Sequence, residues 1–152
     1  MEETWTFNGK LFESTPEEYQ GFVYQLTEIH SNKKYIGKKN FWKPKTLPIN
    51  KTRKRRVRTR VESDWKDYYG SNKKIQELVE EKGFKSFSRE ILRLCKSKGE
   101  CSYWEAKLQF DNNVLLSDEY YNGIINCKIN SRHLSRENIL WQINQDKKKS
   151  MK

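Results

Sequence analysis

Two short strand-like runs, each carrying one tyrosine, constrain the fold of this chain more than any other feature. The runs Phe22-Val23-Tyr24 and Tyr35-Ile36-Gly37 consist mainly of aromatic and β-branched residues, which are typical of strands. Residues 28–34 between them are polar, and Ser31-Asn32 fits a turn. The pattern predicts an antiparallel hairpin with both phenols on one face of its sheet. A buried phenol needs a hydrogen-bond partner, so this pair favours a functional interpretation over simple core packing.

The charge of the chain favours a polyanionic partner. The 152 residues carry a formal net charge of +11, which makes nucleic acid the first candidate. A basic protein without such a partner is the alternative. Hydrophobic residues make up 34% of the chain and aromatic residues 13%, so large rings must supply much of a small core. The length is that of one domain.

Most of the excess charge lies in one segment. Residues 51–60 contain seven cations and no acid, which leaves +4 for the rest of the chain. So dense a run favours phosphate contact over a merely solvated face. We expect residues 38–60 to form an irregular basic insertion, because Pro44 and Pro48 exclude a regular helix in its first half. If the half from Lys51 onward forms a helix, we expect it to do so in contact with a partner.

Downstream patterns predict alternating helices and one further strand. Glu62, Trp65 and Tyr69 have the spacing of one helical face, and residues 61–83 are therefore predicted as helix, interrupted at residues 70–71, with Ser71 as the second cap. Residues 86–95 are predicted as a third strand. Ser97 and Glu100 match a capping box for a helix that runs to about residue 112.

These elements predict an α+β fold with a small three-stranded antiparallel sheet flanked by helices. We divide the chain into an N-terminal arm (residues 1–18), a central domain (19–127) and a helical basic tail (128–152). The tail is too short for a separate DNA-reading domain, so specificity would come from the insertion, the tail or dimerisation.

The spacing of the cysteines indicates no zinc site, and the hydropathy of the sequence indicates where in the cell the protein is expected. Cys95, Cys101 and Cys127 lack a C-x-x-C spacing, and they are interpreted as reduced core residues of a cytosolic protein. The sequence has no signal peptide and no apolar run near 18 residues. We therefore expect a cytoplasmic protein with no membrane partner.

The order of the motifs resembles the GIY-YIG nuclease family. In the first motif only Tyr24 matches, because Phe22-Val23 replaces Gly-Ile, whereas Tyr35-Ile36-Gly37 is intact. Residues 67–74 resemble the loop-to-helix segment of phage-encoded members. Glu105 matches the family's metal-binding glutamate on the helix after the third strand, and Asn122 is similar to its late asparagine. The resemblance covers about residues 20–127.

The resemblance implies a metal-dependent DNA endonuclease, of the free-standing homing type that phages encode. Glu105 would be the single protein ligand of Mg²⁺ or Mn²⁺, and Mg²⁺ takes few carboxylates because it keeps several waters. Tyr24 or Tyr35 would take part in activating water, which requires positive charge near a group with an ordinary pKa of about 10. Asn122 would hold the geometry by hydrogen bonding. No small-molecule cofactor is expected.

Cations after the hairpin would contact double-stranded DNA. The family also uses a catalytic arginine, whose position here is not fixed because the insertion breaks the spacing; Arg60 is the first candidate because it precedes the predicted helix, and Arg58 and Arg56 follow. The expected phosphate-binding residues are Lys38, Lys39, Arg53, Lys54, Arg55, Arg56 and Arg58. If the chain is phage-encoded it would act in the host cytoplasm, as a monomer or a DNA-induced dimer.

Two other functions remain open at this point. The altered first motif also fits a basic module that binds nucleic acid without cutting it. An interaction protein with a basic patch for an acidic partner is the third possibility, and the joint presence of Tyr24, Tyr35, Glu105 and Asn122 argues against it.

Overall fold

The tyrosine hairpin forms one edge of a mixed β-sheet in a computed structural model that describes residues 4–126 and 128–150. Among these residues, seven strands occur in chain order: β1 Thr6–Phe7, β2 Lys10–Leu11, β3 Gly21–Glu28, β4 Lys34–Asn40, β5 Trp42–Leu47, β6 Val57–Glu62 and β7 Phe87–Cys95. The helices are α1 Lys73–Lys82, α2 Lys98–Asp111 and α3 Arg136–Ser150. Three 3₁₀ turns lie at Trp65–Asp67, Phe84–Ser86 and Ser131–His133.

The main sheet has five strands in the order β2-β1-β7-β3-β4. Strand β3 pairs antiparallel with both β4 and β7, so the three predicted strands form one side of the sheet. The prediction of an α+β fold is confirmed, but the description of the sheet was incomplete. Strand β1 adds to β7 in parallel, and β5 pairs with β6 in a separate two-stranded sheet.

Alternation along β3 separates two hydrophobic cores. Phe22, Tyr24 and Leu26 face one core, which contains Trp5 and Trp65. Val23 faces the other, where Ile36, Cys95, Cys101, Trp104 and Ile139 pack. Successive strand residues point to opposite faces, so a single strand supplies both layers. The N-terminal arm and the segment before α1 cover the first face, and helices α2 and α3 cover the second.

Two predictions about the middle of the chain were wrong. Residues 38–60 are not irregular, because β4 continues to Asn40 and strands β5 and β6 form a hairpin. Residues 61–83 are not one interrupted helix either. The predicted first half is the end of β6 followed by a single 3₁₀ turn, and only α1 is helical.

Local capping explains where the helices begin. The side chain of Asn72, rather than that of Ser71, caps α1 by accepting from the N–H of Ile75 at 3.2 Å. Ser97 caps α2 as predicted, since its hydroxyl accepts from the N–H of Glu100 at 3.1 Å. This cap fixes the start of the helix that carries Glu105.

Cys95 and Cys101 are buried free thiols, as expected, whereas Cys127 lies outside the described residues. Within residues 4–126 and 128–150, no helix has the length and apolar character needed to cross a membrane.

Candidate active site

The outer edge of β4 is where the residues predicted to be functional meet. Strand β4 ends the sheet, and its outward backbone groups are satisfied by other segments. The N–H of Lys34 donates to the carbonyl of Glu119 at 2.8 Å, and its carbonyl accepts from the N–H of Tyr121 at 2.7 Å. The Glu105 carboxylate accepts from the N–H of Lys38. Residues 119–122 and helix α2 thus close an edge that would otherwise expose unpaired backbone groups.

Asn122 binds the centre of this edge through both ends of its amide. Its Oδ1 accepts from the N–H of Ile36 at 3.1 Å, and its Nδ2 donates to the carbonyl of the same residue at 2.8 Å. Gln109 of α2 donates to that carbonyl as well, at 2.9 Å. Asn122 is buried, so this pair of bonds is shielded from water. The backbone between Tyr35 and Gly37 is therefore held from outside the sheet.

Gly37 allows the ring of Tyr24 to cross the sheet surface. The two residues are direct partners across β3 and β4. A Cβ atom on Gly37 would lie 2.5 Å from the Tyr24 Oη, so a side chain at this position would collide with the phenol. The ring centroids of Tyr24 and Tyr35 are 6.3 Å apart. The two phenols lie close together on one sheet face, as the hairpin pattern predicted.

Residues 68–71 cover the two phenols. The hydroxyl of Tyr24 hydrogen-bonds to that of Tyr68, and the rings meet edge to face with centroids 5.9 Å apart. The hydroxyl of Ser71 hydrogen-bonds to that of Tyr35. Gly70 has a φ of +86°, a conformation that glycine adopts readily. The bend there brings its backbone against the Tyr24 hydroxyl, which would be 3.3 Å from a Cβ at this position.

Burial keeps the acidic groups of the site protonated more strongly than in water. The pKa of Tyr24 is raised well above its ordinary value by burial, with additional contributions from Tyr68, Tyr35 and Glu105. The pKa of Tyr35 is raised mainly by burial too. Burial also raises the pKa of Glu105, and the nearby charge and N–H of Lys38 partly oppose this. Each shift would be reversed by an added positive charge, because a cation favours the ionised form.

The donor set around Glu105 fits a metal ion that needs few protein ligands. No group of three or more His, Cys, Asp or Glu side chains that could hold a metal occurs among the described residues. Such a set does not fit a closed structural zinc site, which takes four protein ligands. A single half-buried carboxylate does fit Mg²⁺, which keeps most of its waters.

A cleft lined by lysines adjoins the edge of β4. The Nζ of Lys38 donates to the hydroxyl of Ser102 at 2.7 Å, one helical turn before Glu105. The Nζ of Lys39 is 2.6 Å from an oxygen of Asp64 and 4.1 Å from the centroid of the Tyr68 ring. A cavity of about 290 Å³ lies between these groups. It is lined by Lys38, Lys39, Asn40, Lys43, Ser63, Asp64, Lys98 and Cys101, and we call it the lysine cleft.

The arginines lie on a different structure. Strands β5 and β6 with their connecting loop, residues 42–62, form a hairpin that we call the ribbon. It carries Arg53, Lys54, Arg55, Arg56, Arg58 and Arg60. Arg60 contacts the arm rather than the phenols: its Nη2 donates to the carbonyl of Glu17 at 2.9 Å, and its guanidinium lies 4.2 Å from the centroid of the Trp42 ring. The structure therefore brings together Tyr24, Tyr35, Glu105, Asn122 and Lys38, and it does not bring Arg60 to them.

Sequence reasoning missed three residues of the site. Tyr68 and Ser71 lie in the segment 67–74 that the family resemblance singled out, but no local pattern shows that this segment folds over the hairpin. Gln109 is four positions after Glu105, and residues so spaced share a helix face. That spacing was the available signal.

Comparison with known proteins identifies a family for this architecture. The family model described as "Putative endonuclease segE, GIY-YIG domain" matches residues 5–125. A protein of Enterobacteria phage T4 with the same endonuclease name is 31% identical over 101 residues, which cover 66% of this chain and 39% of that protein. The chain thus spans about two fifths of the length of this relative. No solved structure matches.

Proposed function

Since the chain belongs to the GIY-YIG nuclease family, we propose that it is an endonuclease that hydrolyses phosphodiester bonds of double-stranded DNA with a divalent metal ion, Mg²⁺ or Mn²⁺. The observation that carries the proposal is the convergence of Tyr24, Tyr35 and Glu105 at the edge of β4, which the missing side chain of Gly37 permits. The burial of Tyr24 and the partial burial of Tyr35 and Glu105 disfavour ionisation of all three groups, and a bound cation would offset this effect.

Glu105 would hold the metal. When bound, the ion would stabilise negative charge on phosphate oxygens and on the leaving group. The N–H of Lys38 keeps the carboxylate oriented while the other lone pairs remain available. One protein ligand leaves open positions for water and for a phosphate oxygen.

Tyr24 and Tyr35 would position and help to activate the attacking water. Their raised pKa values make the neutral phenols hydrogen-bond donors and acceptors at neutral pH. Positive charge at Glu105 would lower both pKa values and bring one phenol closer to use as a base. Tyr68 and Ser71, which hydrogen-bond to these hydroxyls, would then set their orientation.

Asn122 would maintain the spacing of the two motifs rather than touch the reacting atoms. It binds the backbone of Ile36, the residue between Tyr35 and Gly37. Lys38 and Lys39 would contact the phosphate backbone next to the scissile bond. Arg60 stays a sequence-based candidate for the catalytic arginine, and it would have to leave Trp42 and Glu17 to take that role.

The biological role that fits best is a free-standing homing-type endonuclease of a phage, acting in the host cytoplasm. The relative in phage T4 supports this origin. The chain would act without a small-molecule cofactor, as a monomer or as a dimer formed on DNA.

Cleavage of supercoiled plasmid tests the proposal. We expect the wild-type protein to nick or linearise the plasmid with Mg²⁺ or Mn²⁺ and to leave it intact with EDTA. Glu105→Gln should reduce cleavage by about 10³-fold, because it removes several kcal/mol of metal-derived stabilisation. Glu77→Gln on the exposed face of α1 is the matched control. Wild-type protein that binds the plasmid but never cuts it would instead establish a non-catalytic binding module.

A further inference from the structure

The ribbon concentrates most of the positive charge of the molecule on a narrow projection. Residues 42–62 hold nine Lys or Arg and one Glu, a net charge of +8 out of +11. Residues 43–46 of β5 and residues 57–60 of β6 are exposed. Like charges at such density repel one another and destabilise the free hairpin. A bound polyanion would neutralise this repulsion.

The two faces of the ribbon differ in what they adjoin. Cross-strand partners share a face, and the register pairs Lys43 with Val61 and Lys45 with Thr59. Lys43 on this face also lines the lysine cleft, which continues to Lys38 and the edge of β4. The lysine cleft therefore connects the base of the ribbon to the edge of β4, next to the candidate active site.

The opposite face anchors the ribbon at its base. Trp42 donates from its indole to the carbonyl of Pro16 at 3.2 Å, and its own carbonyl accepts from the amide of Gln20 at 3.1 Å. Arg60 covers the Trp42 ring and bonds to Glu17. The base is fixed to the arm, while Arg58 and the connecting loop extend beyond it. The ribbon thus has a defined direction relative to the site.

Its dimensions select one groove of one kind of nucleic acid. Two paired strands are about 5 Å apart before side chains are added, and six residues per strand extend about 20 Å. A two-stranded ribbon fits the major groove of B-form DNA, about 12 Å wide, but not the minor groove, about 6 Å wide. The major groove of A-form RNA is deep and narrow and excludes it.

We propose that the ribbon lies in the major groove of duplex DNA, with the lysine cleft holding the phosphate backbone that leads from this groove to the edge of β4. Thr59, on the ribbon face that adjoins the lysine cleft, would reach base edges, and Lys43, Lys45 and Arg58 would contact the phosphates that border the groove. The loop cations Lys51, Arg53, Lys54, Arg55 and Arg56 would contact phosphates. This proposal rests on the proposed function for its substrate and extends it to the part of the chain that reads the DNA.

Methylation protection by dimethyl sulfate identifies the groove directly. The reagent methylates guanine N7 in the major groove and adenine N3 in the minor groove. With wild-type protein on a duplex in EDTA, we expect protection of guanine N7 that is lost in the variant Lys43→Gln/Lys45→Gln/Arg58→Gln. Protection of adenine N3 instead, or guanine protection that the variant retains, would overturn the proposal.

The salt dependence of binding gives a second, quantitative measure. Each phosphate contact contributes about 0.9 to the slope of log K against log salt, so losing three contacts should lower the slope by about 2.7. The matched control is Lys147→Gln/Lys148→Gln/Lys149→Gln, which removes the same charge from the end of α3. Equal slope changes in the two triple variants would mean that net charge alone matters and would refute a ribbon contact. An RNA duplex that competes as well as DNA would refute it too.

These measurements are independent of catalysis. A protein that cuts plasmid but shows no ribbon-dependent footprint keeps the proposed function and loses this inference. A protein with the footprint that cuts nothing keeps the inference and loses the nuclease activity.

Discussion

Strands β4 and β5 follow one another along the chain, yet they have opposite surroundings. Strand β4 ends at Asn40 and β5 begins at Trp42. Ile36 in β4 is fully buried and hydrogen-bonded from outside the sheet, whereas residues 43–46 of β5 are exposed. The reacting groups of the site need fixed positions, which buried contacts provide. The ribbon needs reach and charge, which burial would remove.

Within this comparison, the largest combined effect on stability and cleavage should come from adding one methyl group to the fixed region. Gly37→Ala places a Cβ 2.5 Å from the Tyr24 hydroxyl, so either the phenol or β4 must move. We expect unfolding free energy to fall by about 1–3 kcal/mol and cleavage to fall by about 10²-fold through misplacement. Plasmid cleavage and thermal unfolding measure the two effects. Gly123→Ala is the control, since no atom lies within 4 Å of its added Cβ. Equal behaviour of the two variants would contradict the crossing of Tyr24 over Gly37.

Removing the two hydrogen bonds between the Asn122 side chain and the backbone of Ile36 should have the next largest effect. Asn122→Ala leaves the buried N–H of Ile36 without its partner, while Gln109 still bonds the carbonyl. A lost partner of this kind costs about 1–3 kcal/mol, and cleavage should fall at least about tenfold because the two motifs shift. The exposed Asn126→Ala serves as control. Full activity of folded Asn122→Ala protein would limit Asn122 to a role in stability.

A pH-dependent effect on stability, without a direct effect on cleavage, should come from the anchor of residues 119–122. The hydroxyl of Tyr121 donates to the buried carboxylate of Glu28, and this bond holds the pKa of Glu28 below its usual range. A depressed carboxylate pKa stabilises the fold above the unfolded-state pKa, and that contribution disappears as pH falls through the folded-state pKa. Glu28→Gln should thus be less stable than wild type at pH 7 by about 1.5–3 kcal/mol.

The same pair sets an alkaline limit. The pKa of Tyr121 is raised to about 12, so its contribution to stability is complete below the ordinary tyrosine pKa and is lost as pH rises toward about 12. Urea unfolding of wild type and Glu28→Gln across pH measures both limits. The stability difference between them should shrink between about pH 5 and pH 3. A difference that stays constant over this interval would exclude the ionised pair.

The smallest effect on stability should come from the ribbon. Arg55→Gln/Arg56→Gln alters exposed side chains of the loop, so unfolding free energy should stay within about 0.5 kcal/mol of wild type. DNA affinity at low salt should nevertheless fall, because two phosphate contacts are lost. Calorimetry and filter binding measure these quantities. Strong destabilisation of this variant would show that the loop packs on the body and would erase the contrast between the two regions.

Local sequence patterns predicted those elements that their own residue types and spacing are enough to identify. Aromatic and β-branched runs identified β3, β4 and β7, and the Ser97 capping box located α2. Strand β6 was missed although Val57-Arg58-Thr59-Arg60-Val61 alternates with the period of a strand, because the density of like charge pointed to an irregular segment. Strands β1 and β2 have two residues each, too few for any periodic signal.

At Glu62–Tyr69 the error was the opposite one: a periodic pattern was present and a helix was predicted, but no α-helix forms. Its i, i+3, i+7 spacing is real, but Trp65 is placed by tertiary contacts, including a bond from the Trp5 indole to its carbonyl at 2.8 Å. The partners of the two phenols, Tyr68 and Ser71, were inaccessible to local reasoning for the same reason. Their positions depend on a fold of the chain back over the hairpin.

The pairing of β1 with β7 has a consequence for synthesis on the ribosome. Thr6 lies opposite Glu90, and Asn122 bonds to a residue 86 positions earlier. Contacts so distant in sequence slow folding, because long loops must close before any of them forms. The N-terminal strands emerge first but cannot join the sheet until β7 has left the exit tunnel. A nascent chain that stops before Asn122 would carry the charged ribbon without a finished candidate site, so translation itself would delay the appearance of the proposed nuclease activity.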